Sequence, residues 1–183
     1  MDGGDRHRMK QNALTAEQVI EKLGLVPETV EGGLFLSTYR SVVKTSDGKI
    51  AGSAIFYMLR GDAFSHFHKL SGDEIYHFYL GDPVELVELM ADGECRKTVL
   101  GSDILGGESL QHLVPAGNWQ GACLAEGGKW ALLGTTMCPG FSREGYEHGD
   151  AETLLEKYPS AKGEIMRLTG YPRQADEVKE ESR

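Results

Sequence analysis

The stretch Gly61-DAFSHFHKLSGDEIYHFYL-Gly81 decides how the rest of the chain is read. Two runs rich in aromatic and aliphatic residues flank the turn cluster Ser71-Gly72-Asp73, so the segment is expected to be two antiparallel strands joined by a tight turn. Working outward, the same rhythm recurs. Short apolar segments alternate with turn clusters at Glu31-Gly32-Gly33, Ser46-Asp47-Gly48, Gly81-Asp82-Pro83, Asp92-Gly93, Gly106-Gly107, Ala116-Gly117-Asn118 and Gly127-Gly128. Between them lie strands, about ten in all by their regular spacing, including Leu34–Ser41, Ile50–Leu59, Glu74–Leu80, Val84–Met90 and Trp130–Met137. Such spacing predicts an antiparallel sandwich or barrel. No helical period interrupts the strands, which excludes a parallel α/β sheet.

Helical signals lie on either side of this region. Thr15-Ala16-Glu17-Gln18 is a capping box, and Ala16, Val19, Ile20 and Leu23 follow at helical spacing. Gly24 closes that helix and Pro27 prevents its resumption. After Pro139 helical character returns: Asp150 can cap a segment carrying Leu154 and Leu155, Pro159 breaks it, and Ser160 can start a second helix ending at Gly170. The 183 residues suit one domain. We place it at 14–170, between a flexible N-terminal tail, 1–13, and a charged C-terminal tail, 171–183.

Nineteen basic against 28 acidic side chains give a net charge of −9. Nucleic acid and anionic membrane surfaces both need clustered positive charge, so neither is expected as a partner. No apolar run is long enough to span a bilayer, and the N-terminus lacks a secretory pattern. Cys95, Cys123 and Cys138 show no paired spacing. A cytoplasmic location is the expectation from these features.

The chemistry-bearing residues cluster in the opening stretch. His66 and His68 stand two apart and point to one face of a regular strand. Glu74, across the expected hairpin, can meet them. Two imidazoles and a carboxylate are a known ligand set for a divalent transition metal. Tyr76 and Phe78 share the face of Glu74 and would wall a cavity, whereas His77 faces away. Tyr39 and Arg40 are neighbours on the first long strand, so only one of them can look inward. A structural salt bridge is the expectation for Arg40.

Gly61-DAFS-His66-F-His68-KLSGD-Glu74-IYHFYL-Gly81 resembles the first motif of the cupin superfamily, and Gly107-ESLQHLV-Pro115-A-Gly117-NW-Gln120 resembles the second. Where cupins usually place a third metal-binding histidine, this chain has Gln120. With Glu31-Gly-Gly-LFLSTYRS and Cys138-Pro139-Gly140-Phe141 added, the chain resembles the DUF985, or Cupin_5, family over roughly residues 15–158. The resemblance implies an all-β fold, a cupin double-stranded β-helix or jelly-roll barrel, with an N-terminal helix and C-terminal helices. It further implies a homodimer and a cavity that takes a small-molecule ligand.

Two enzymatic readings follow. In an epimerase- or isomerase-like enzyme, His68 oriented by Glu74 is the base and Tyr39 or Tyr76 the acid, with His66, Tyr76, Phe78, Gln120 and Arg40 contacting ligand. In a metal-dependent enzyme, a dioxygenase or isomerase, His66, His68, Glu74 and Gln120 surround one divalent ion. A non-catalytic metabolite-binding module is the third reading.

Overall fold

The computed structural model describes residues 14–171, so the two expected tails lie outside the described residues apart from Tyr171. Helix α1, Ala16–Leu23, carries the predicted capping box: Thr15 Oγ1 accepts from Gln18 N and the Gln18 side chain accepts from Thr15 N. It ends at Gly24, whose φ of 71° is the left-handed conformation glycine adopts freely. Strands β1 (Val26–Pro27), β2 (Leu34–Arg40), β3 (Ser53–Arg60), β4 (Phe64–Leu70), β5 (Asp73–Gly81) and β6 (Val84–Leu89) follow. Then come β7 (Cys95–Leu100), β8 (Gln111–Val114), β9 (Trp119–Leu124), β10 (Trp130–Cys138) and β11 (Tyr146–His148). Helices α2 (Ala151–Lys157) and α3 (Lys162–Thr169) close the domain. Asp150 caps α2 as expected. Ser160 instead lies in a short 3-10 turn, and α3 starts after it with no side-chain cap.

The strands form two antiparallel sheets, ordered β1-β2-β3-β10-β5-β8 and β11-β4-β9-β6-β7. Alternation along each strand sorts side chains between layers. On β3, Tyr57 and Leu59 enter the core between the sheets while Met58 points out beneath α1. On β6, Val84 and Leu86 point inward, while Val87 and Leu89 face α2 and α3 with Phe67, Ile165 and Leu168. Helices therefore cover the outer face of both sheets, and the space between the sheets is packed toward one end and open at the other. Among the described residues, no helix is long and apolar enough to cross a membrane.

Strands β4 and β5 do not pair with one another. β4 lies between β11 and β9, and β5 between β10 and β8. The Ser71–Asp73 turn is thus a corner that carries the chain from one sheet to the other. His68 and Glu74 face each other across the sandwich instead of sitting side by side on a hairpin.

Candidate functional site

A cavity of about 350 Å³ opens at the unpacked end of the sandwich. Its polar lining includes Glu28, Glu31, Glu74, Tyr57, Thr135 and Tyr146, with Ser37, Arg40 and Arg143 at exposed positions. Phe35, Ile55, Leu70, Met137 and Phe141 supply apolar wall.

Glu74 is the most deeply set of the carboxylates lining the cavity, 6% exposed. Burial raises its pKa above the ordinary 4.5, against the charge of His68 and hydrogen bonds from Thr135 and Gln120. Gln120, 1% exposed, reaches across from β9 and donates from Nε2 to Glu74 Oε2 at 2.7 Å. Its Oε1 is a buried acceptor with no partner among the described residues. His68 is 1% exposed and sits opposite Gln120 in register. His68 Nδ1 lies 2.8 Å from the His66 carbonyl, so that nitrogen carries the proton. Nε2 is left directed at Glu31 Oε2, 4.0 Å away. Tyr146 stacks on the His68 ring with centroids 5.4 Å apart, and of the two only Tyr146 lines the cavity.

Glu31 carries a role that its sequence context does not announce, since the Glu-Gly-Gly cluster reads only as a turn. Three contacts pin that turn to the sheets. Ser65 Oγ donates to Glu31 Oε1 at 2.6 Å, Tyr57 Oη donates to the Gly32 carbonyl at 2.9 Å, and His66 N donates to the Glu31 carbonyl at 2.8 Å. Burial, then the nearby Glu31 charge, raise the Tyr57 phenol well above its ordinary pKa. Tyr146 is raised for the same two reasons. The sequence offered no periodic signal for Tyr57, Tyr146 or Arg143, which reach the cavity from distant segments.

Two β-bulges decide which predicted residues arrive. On β4 the register slips between Ser65, opposite Ala122, and His68, opposite Gln120, so three steps on β4 match two on β9. Ser65 and His68 both turn inward, and His66 does not join them. Its ring stacks on His148 with centroids 3.8 Å apart. On β2 the slip falls between Ser37 and Tyr39. Arg40 consequently lines the cavity and Tyr39 does not, being 56% exposed. Arg40 makes no ion pair with a described carboxylate; its Nη1 donates to the Phe141 carbonyl at 3.3 Å. Tyr76 and Phe78 face inward as expected, but they pack into the apolar core at the closed end and do not line the cavity.

The set His66, His68, Glu74 and Gln120 is therefore not assembled around one point. Among the described residues, no group of three or more His, Cys, Asp or Glu side chains is placed to hold a metal ion. One Glu74 oxygen, Oε2, is engaged by the Gln120 amide. The residues present do not fit the metal centre that the motif suggests.

Residues 17–149 match the family described as "Cupin superfamily (DUF985)". No curated protein matches the sequence. The crystal structure of a protein from Shewanella oneidensis is 33% identical, with 85% of this chain and 98% of that one covered and a TM-score of 0.80. A hypothetical protein from Leishmania major is 29% identical, with the same 85% and 98% covered and a TM-score of 0.79. Oxalate decarboxylase from Bacillus subtilis, described with Mn(II) centres, shares the fold alone. It is 16% identical with a TM-score of 0.50, and this chain matches 38% of its length.

Proposed function

The chain belongs to the DUF985 family of the cupin superfamily, and from that premise we propose that its cavity binds a small polar molecule and moves protons on it, as a sugar epimerase or isomerase does. One observation carries this reading: two of the carboxylates that line the cavity, Glu31 and Glu74, differ in exposure, Glu74 being buried and Glu31 half-buried. Proton transfer at a carbon beside a carbonyl needs a base and an acid held apart in affinity for the proton. Glu74, kept toward its neutral form by burial, is suited to donate. Glu31, open to the cavity and held by Ser65, is suited to accept.

His68 acts through Glu31. With Nδ1 on a carbonyl, Nε2 is directed at the Glu31 carboxylate, 4.0 Å away, and orients it toward the cavity. The acid role expected of Tyr39 or Tyr76 passes to Glu74 and the base role expected of His68 passes to Glu31, because none of the three expected residues lines the cavity.

Solvent deuterium incorporation tests the reading even while the substrate is unidentified. A panel of sugar phosphates and nucleotide sugars in D2O should show exchange at a carbon next to a carbonyl with wild type, read by NMR. Exchange should fall at least about 100-fold in Glu31→Gln and in Glu74→Gln. Exchange that persists in both variants would overturn the assignment.

A further inference from the structure

The cavity is polarised, and its polarity names the class of ligand. Of the described arginines, Arg60, Arg96 and Arg167 each pair with a glutamate. The other two, Arg40 and Arg143, pair with no described carboxylate, and both line this cavity. They reach it from opposite ends of the chain's strand region, and the two segments meet where Arg40 Nη1 donates to the carbonyl of Phe141, two residues before Arg143. Phe141 N in turn donates to Ser53 Oγ at 2.9 Å on β3. In a chain of net charge −9, two guanidinium groups without carboxylate partners beside one opening form a local positive site in a repelling field.

We propose that Arg40 and Arg143 form an oxyanion subsite, and that the ligand is a small hydroxylated molecule with one phosphate or carboxylate group. The proposal rests on the cavity reading above and deepens it. Glu28 and Glu31 repel an anion from the interior, and together with Glu74 they offer hydrogen-bond acceptors to hydroxyl groups. The anionic end must therefore lie toward the arginines and the hydroxylated end toward the carboxylates. Planar guanidinium groups bind phosphate and carboxylate in bidentate fashion. A volume near 350 Å³ is at the lower end of the roughly 300–1,000 Å³ usual for ligand pockets. That suits a monosaccharide bearing a phosphate or an acid group; a nucleotide sugar would leave its base outside.

The test is calorimetric titration of the full chain with glucose 6-phosphate, fructose 6-phosphate, gluconate and uncharged glucose. At least one anionic compound should bind tenfold or more tightly than glucose, and the advantage should shrink with added salt. Arg40→Gln and Arg143→Gln should each remove about tenfold of that advantage and leave glucose binding unchanged; both side chains sit on exposed positions, so the fold tolerates the change. Preference for phosphate over carboxylate, or the reverse, identifies the group. A Ser37→Trp variant, which fills the cavity from an exposed strand position, distinguishes the two claims. If Ser37→Trp abolishes binding while glucose and its anionic relatives bind equally, the subsite is wrong and the cavity reading stands. If anionic binding survives Ser37→Trp, or if no compound in the panel binds, both are overturned.

Discussion

Gln120 on β9 donates to Glu74 on β5 across 2.7 Å, and this one hydrogen bond ties the two sheets together at the floor of the cavity. Both side chains are almost fully removed from water. Burial raises the proton affinity of the Glu74 carboxyl group, and the hydrogen bonds from Gln120 and Thr135 oppose that rise.

The Glu74 pKa lies above its ordinary 4.5 because burial disfavours the charged form. Its ionisation therefore costs folding stability. Below about pH 4.5 the carboxyl is protonated in both states and the cost is absent; the cost grows as pH rises through the folded-state value. Glu74→Gln should be more stable than wild type at pH 8, by on the order of 1 kcal/mol, with the gain shrinking toward pH 4. Urea unfolding at the two pH values measures this. A variant less stable at both would show that the carboxylate is a structural anchor.

Gln120→Ala removes the donor that favours ionised Glu74. A loss of about 1–3 kcal/mol is expected from an unpaired buried carboxyl group. The Glu74 pKa should rise further, which a carbon-detected NMR titration of the side-chain carboxyl would read. An unchanged titration curve would mean that the amide does not influence the proton.

Gly32 has φ of 101°, and a Cβ placed there would meet the Phe64 carbonyl. Gly32→Ala combines backbone strain of about 1–3 kcal/mol with displacement of the Glu31 turn. Gly48 has a similar φ of 84° but open space around it, so Gly48→Ala should show the strain alone. Ligand affinity should fall in the first variant and hold in the second; equal affinity in both would detach Glu31 from binding.

Leu168 on α3 is fully buried against the outer face of the second sheet with Phe67, Val87 and Leu154. Leu168→Ala should destabilise the domain by about 2–5 kcal/mol. Because the cavity lies on the other face of that sheet, ligand affinity below the unfolding transition should be unchanged. A parallel loss of affinity would show that α3 packing is coupled to the site.

Much of the architecture was legible in the sequence. Glycine and aspartate clusters marked the corners, because only certain residues fit tight reversals, and Thr15-Gln18 and Asp150 marked helix starts by their capping chemistry. Within the first motif, His68 and Glu74 do converge, since both lie on inward faces. The manner of their meeting was not legible. A turn between two strands reads the same whether it joins neighbours in one sheet or carries the chain to the opposite sheet, and the second is what occurs.

Sequence alone therefore determined the strand rhythm, the caps and the family motifs, all of which depend on residues close together in the chain. Tertiary structure alone decided which side chains look into the cavity. Side-chain direction has a period of two only while pairing is regular, and a single extra residue reverses it. The slip on β2 admits Arg40 and turns Tyr39 out; the slip on β4 turns Ser65 and His68 to the inner face, behind Glu31, and leaves His66 against His148. Each bulge is a property of two strands paired across long sequence distances, so no local pattern in either strand announces it.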